Sequence, residues 1–213
     1  MLGADFLKKL DTLNNVEMVS ANIVDQQTGK PIVSPYKLEI LKSDSNSSLP
    51  FKRLTVGVIG LAEDFGNYQF SNQDNIKLFI KNPAETAKIV VPQMRKKADL
   101  IILLYYGQAD QLKAVLEAAR DIDVVVYGGI YSKPAFANSF DKTIFVTTPS
   151  LGKYAGILSI ELSDKKEVLS YRNKEVALDE SIPDKPEIAD FVKEFEKTFD
   201  ETKGEVLSDK KNN

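Results

Sequence analysis

The chain has 213 residues, with 28 Lys and Arg against 31 Asp and Glu for a formal net charge of −3, and it contains no Cys, His or Trp. These absences exclude disulfides, thiolate nucleophiles, zinc–thiolate sites, imidazole ligands and the Ser-His-Asp triad, leaving carboxylate, lysine, tyrosine and hydroxyl chemistry. The near-neutral balance speaks against a nucleic-acid binder, and apolar runs such as residues 100–106 are too short to cross a bilayer, so no membrane segment is expected.

Residues 4–14 place Phe6, Leu7, Leu10 and Leu13 at helical spacing, without the basic start and apolar run of a signal peptide. The chain as it stands is therefore expected in the cytoplasm by default, and exported if Met1 is not the true start. A strand is predicted over 17–24, turn chemistry over 25–31, and an alternating strand over 35–42. A polar loop at 43–49 leads to a mostly apolar strand at 52–61, and the two strands read as a hairpin. Residues 62–81 are polar and show no period. Asn82-Pro83-Ala84-Glu85 reads as a helix start, with Asn as cap and Pro in the first turn, and the helix is predicted to run to about 97.

Residues 99–106 read as a buried strand. A helix over 108–120 follows, with Leu112, Val115, Leu116 and Ala119 on one face. Further strands are predicted at 123–127 and 143–148, an antiparallel pair at 155–162 and 167–177, and an amphipathic helix over 186–203 carrying Ile188, Phe191, Val192, Phe195 and Phe199. Residues 204–213 read as a polar tail, and 1–203 as one domain. The order predicts an α/β fold: a mostly parallel sheet flanked by helices, plus antiparallel strands.

Ligands of such sheets bind beyond the C-terminal ends of the strands. That crest carries Glu63 and Asp64, then Tyr105, Tyr106, Gly107 and Gln108, then Gly128, Gly129, Ile130, Tyr131 and Ser132. Glu63 and Asp64 read either as cation ligands or as a solvated loop, the second being favoured. Gly57 and Gly60 lie inside a strand and make neither GxGxxG nor a P-loop. Gly128-Gly129 reads equally as a place of close ligand approach or as a sharp turn. Tyr105, Tyr106, Tyr127 and Tyr131 form an aromatic group, read as partial core packing ahead of a stacking site. Asp99 and Asp123 stand at the N-terminal ends of their strands, the wrong edge for a site, and read as hydrogen-bonding groups where those strands begin.

Several segments carry a family resemblance. They are Ser20-Ala21-Asn22-Ile23, GKPIVSPY at 29–36, TVGVIGL at 55–61, ADLIILLYYG at 98–107, IDVVVYGGIYS at 122–132, LGKYAGILSI at 151–160 and ALDESIPDKP at 177–186. The chain resembles, from about Gly3 to Phe199, the second half of the catalytic domain of calcineurin-like metallophosphoesterases of the 5′-nucleotidase branch. The resemblance implies an αββα-type α/β fold, and in the family two divalent metals held partly by histidines of these crest loops. Here Tyr105 stands where the first histidine is expected, and Ile130 and Ser132 stand where the later pair is expected. The family's Asp-x-His, Gly-Asp and Gly-Asn-His motifs would precede Gly3. The resemblance therefore implies a degenerate, non-catalytic domain with a binding or structural role, no catalytic or metal-ligating residues, and no cofactor. Its vestigial cleft would comprise Tyr105, Tyr106, Gly107, Gly128, Gly129, Ile130, Tyr131 and Ser132. The alternative is part of a metal-dependent nucleotide phosphohydrolase completed by an upstream segment. Either reading implies a protein partner or a homodimer covering an exposed sheet edge.

Overall fold

A computed structural model describes residues 17–43, 51–65, 77–128, 136–137, 140, 142–148 and 152–209. The predicted helix at 4–14 and, apart from Ser43, the predicted loop at 43–49 lie outside them. In chain order the elements are β1 (Ile23–Asp25), β2 (Tyr36–Lys42), β3 (Arg53–Ala62), β4 (Leu78–Ile80), α1 (Pro83–Arg95), β5 (Leu100–Tyr106), α2 (Ala109–Ala118), β6 (Val124–Tyr127), β7 (Ile144–Val146), β8 (Tyr154–Leu162), β9 (Val168–Ala177) and α3 (Pro186–Asp209).

Five strands form one sheet in the order β2-β3-β5-β6-β7. β2 is antiparallel to β3, as the hairpin pattern predicts, and β3, β5, β6 and β7 run parallel. Near-continuous apolar strands suit this arrangement, because a parallel sheet is covered on both faces. One face is buried by α1 and α2: Ile59, Leu61, Ile101, Leu103, Tyr105, Val125 and Tyr127 pack with Val91, Met94, Leu112, Val115 and Leu116. On the opposite face Leu54, Val56 and Leu100 meet Ile160, Leu162 and Val168 of the β8–β9 sheet. Farther along that face Leu104, Tyr106 and Val126 are exposed.

α1 begins as its sequence demands. The Asn82 side chain accepts from the amides of Ala84 and Glu85, at 2.9 and 3.0 Å, with Pro83 in the first turn.

Two parts depart from the sequence reading. The strand predicted at 17–24 is reduced to β1, preceded by a bridge between Val19 and Ser34, and β1 pairs antiparallel with the unpredicted β4. The reason lies at Gly60. A Cβ there would sit 2.1 Å from the Val19 carbonyl oxygen, so the missing side chain lets residues 19–21 cross directly over β3. Ala21 then donates to Gly60 O at 2.9 Å, beyond the point where β2 stops pairing. The second departure is α3, which runs to Asp209 through the residues read as a tail. Gly204 costs about 1 kcal/mol relative to alanine inside a helix, and the Lys and Glu beside it are good helix formers.

The chain divides into two compact units, Met1–Val176 and Ala177–Asn213. In the second, Ile188, Phe191, Val192 and Phe195 of α3 are exposed. Among the described residues no helix is long and apolar enough to cross a membrane.

Candidate functional site

The C-terminal ends of β3, β5 and β6 form a crest in the first unit. Alternation along β5 sends Ile101, Leu103 and Tyr105 toward the helices and Leu104 and Tyr106 to the other face. Tyr105, where the resemblance expects the first histidine, is therefore turned into the core and only 2% exposed, with its ring stacked on Tyr127 at 6.2 Å. Its hydroxyl is buried and has no hydrogen-bond partner among the described residues. Burial, with the Glu63 carboxylate and Tyr127 nearby, pushes this phenol well above its ordinary pKa, so it stays a neutral hydroxyl. Tyr106 is 55% exposed and meets Phe65 edge-on at 5.8 Å.

Glu63 closes the crest. Its amide donates to Tyr106 O at 2.8 Å, and its Oε2 accepts from the Gln108 amide at 2.5 Å. Gln108 is the N-cap of α2 and makes no side-chain cap of its own, so the Glu63 carboxylate serves instead, placed where the helix dipole favours negative charge. The sequence reading does not include this role for Glu63. Gly107 is required sterically, since a Cβ there would lie 2.6 Å from Tyr105 Oη and 2.7 Å from Glu63 Cβ. Gly128 is not: its amide donates to Tyr105 O at 2.8 Å, and a Cβ there would meet nothing closer than 3.4 Å. Gly129, Ile130, Tyr131 and Ser132 lie outside the described residues.

Of the described crest groups, the Tyr105 phenol is neutral and buried, and the Glu63 carboxylate accepts from a backbone amide. Among the described residues no three His, Cys, Asp or Glu side chains converge on one point.

At the opposite edge, Asp99 and Asp123 fasten strand beginnings. Asp123 Oδ2 accepts from Ile101 N at 2.6 Å and from Arg95 at 2.5 Å. Asp99 Oδ2 accepts from Thr55 N and from Lys166 Nζ, both at 2.8 Å. Burial raises the Asp99 pKa, but the bonds from Lys166 and Thr55 outweigh it, and the carboxyl is held below its ordinary value. A depressed folded pKa means that the contribution to stability is complete above the unfolded pKa, about 4, and is lost as pH falls through the folded value. The stability gap between wild type and Asp99→Asn is therefore expected to narrow below about pH 4. Urea unfolding at a series of pH values measures it; a gap that stays constant from pH 6 to pH 2 would refute the assignment.

No protein-family model matches the chain. Two of the relatives that match by sequence are 2′,3′-cyclic-nucleotide 2′-phosphodiesterase/3′-nucleotidases. The Yersinia enterocolitica protein is 29% identical over 143 residues and the Salmonella typhimurium protein 26% identical over 141; each match covers 59% of this chain and 21% of the relative. Among solved structures, the sulfate thiohydrolase SoxB of Thermus thermophilus superposes with a TM-score of 0.69 at 19% identity, over 90% of this chain and 34% of that one. The calcineurin-like phosphoesterase YfkN of Bacillus subtilis gives 0.64 at 19% identity, over 87% and 63%. A 5′-nucleotidase precursor of Thermus thermophilus gives 0.53 at 22% identity, over 82% and 35%. The chain thus spans about a fifth of the length of these two relatives, and these structural likenesses concern the fold.

Proposed function

We propose that this chain, which has the fold of the 5′-nucleotidase-type metallophosphoesterases, is a non-catalytic member of that group with a binding or structural role. The observation that carries the reading is Tyr105: where the resemblance expects a histidine ligand, the side chain is a neutral phenol buried against the helices. A protein partner or second copy covering an exposed sheet edge belongs to the same reading. Leu104, Tyr106 and Val126, exposed on the face that β8–β9 covers only in part, are further apolar surface for such a partner to bury.

A second reading is favoured by the coverage. Because the chain spans about a fifth of those two sequence relatives, it could be one part of a nucleotide phosphohydrolase whose metal ligands lie on another segment.

The purified chain, melted in EDTA and again with excess Mn²⁺ or Zn²⁺, is expected to unfold at the same temperature, with no hydrolysis of 3′-AMP, 5′-AMP or 2′,3′-cyclic AMP. A ligand held at a hundredfold excess over its Kd adds about 3 kcal/mol to the folded state. A metal-dependent rise in Tm of several degrees, together with turnover abolished by EDTA, would reject the non-catalytic reading.

A further inference from the structure

At the start of α2 a carboxylate of the chain itself sits on the helix N-terminus. Gln108 N–H, at the positive end of a ten-residue helix, donates to the Glu63 carboxylate at 2.5 Å. Beside it lies the hydroxyl of Tyr105, a residue only 2% exposed; the hydroxyl is buried and without a partner among the described residues. Both oxygens approach the bare Gly107: a Cβ on that residue would be 2.6 Å from Tyr105 Oη and 2.9 Å from Glu63 Oε2. Glu63 satisfies the helix but leaves the phenol unmatched, and a buried hydroxyl without a partner is destabilising.

We infer that the junction of Gly107, Gln108 and Tyr105 is a binding site for a small oxyanion, for which the Glu63 carboxylate is a resident substitute. An ion with several acceptor oxygens takes both donors, Gln108 N–H and Tyr105 O–H, where Glu63 takes one. Its arrival releases Glu63 to solvent and exchanges the bond between the end of β3 and the start of α2 for a bound ion. This does not depend on the proposed absence of turnover, which is read separately from hydrolysis and metal-dependent melting.

The test titrates the full chain with sodium acetate and, separately, with inorganic phosphate at constant ionic strength, following the ¹⁵N–¹H signal of Gln108. Glu63→Ala is expected to give a saturable shift with at least one of the two ions, at an affinity at least tenfold above wild type, where the tethered carboxylate competes. Adding Tyr105→Phe to that variant is expected to weaken binding about tenfold, the effect of losing one hydrogen bond to a charged group. The arm that saturates identifies a carboxylate or a phosphate as the preferred ion. If Glu63→Ala does not fold, Glu63→Gln replaces it: the amide oxygen still accepts from Gln108 while the competing charge is gone, and binding is expected to tighten relative to wild type. A Gln108 signal that neither ion moves in a folded variant would overturn the site. So would equal affinity with Phe at position 105, which would leave only a bare helix end.

Discussion

Replacing Asn22 with alanine is expected to lower the stability of the first unit by about 3 kcal/mol, a fall of roughly 10 °C in Tm for a chain of this length. Asn22 is fully buried and acts as a strand partner for the last residue of β3. Its Oδ1 accepts from Ala62 N at 3.0 Å, and its Nδ2 donates to Ala62 O at 2.6 Å and to Lys81 O at 2.8 Å. One side chain thus extends the sheet past the end of β2 and ties it to the segment following β4. Alanine strands three backbone groups, two of them on the half-buried Ala62, at about 1 kcal/mol each. Asn22→Leu separates this cause from a cavity effect, because it restores the volume without the polar atoms; it is expected to lose as much as alanine. Urea midpoints followed by circular dichroism measure both. A loss below about 1 kcal/mol, or recovery by leucine, would show that the amide contributes only bulk.

The parallel core was legible because its signal is local. Apolar runs such as 100–106 and 124–127 fit only strands covered on both faces, and the Asn-Pro start of α1 fits its cap. What escaped depends on partners distant in sequence. β4 is three residues within a polar stretch and exists because β1 supplies its hydrogen bonds. Glu63 caps a helix that starts 45 residues later, and no spacing rule connects the two. At the crest, two adjacent tyrosines give no sign of which one faces the helices. The register of Ile101 and Leu103 in the core decides it, committing Tyr105 inward and Tyr106 outward. Asp99 and Asp123 were readable as strand fasteners because their edge of the sheet follows from strand direction alone.

The second large effect is expected at Arg95, where three attachments converge on one guanidinium. Its Nη1 donates to Asp99 O at 2.7 Å, and its Nη2 to Asp121 O and to Asp123 Oδ2, both at 2.5 Å. The end of α1 is thereby tied to the beginnings of both β5 and β6. The Arg95 and Asp123 side chains are 29% and 27% exposed, so the pair is neither a free surface ion pair, worth under about 1 kcal/mol, nor fully desolvated. Arg95→Ala is expected to cost about 2 kcal/mol, through two carbonyls that lose their donor and a carboxylate that loses its cation. Arg95→Lys keeps the charge but not the planar fork, and a single ammonium cannot span acceptors on two strands; less than half the loss should return. Asp123→Ala removes the same ion pair and also strands Ile101 N. The double variant is therefore expected to be less destabilised than the sum of the single ones, by about 1 kcal/mol. Strict additivity would mean that the carbonyl bonds alone hold α1 to the sheet and that the ion pair is incidental. Full rescue by lysine would mean that charge, and not the fork, sets the beginnings of these two strands.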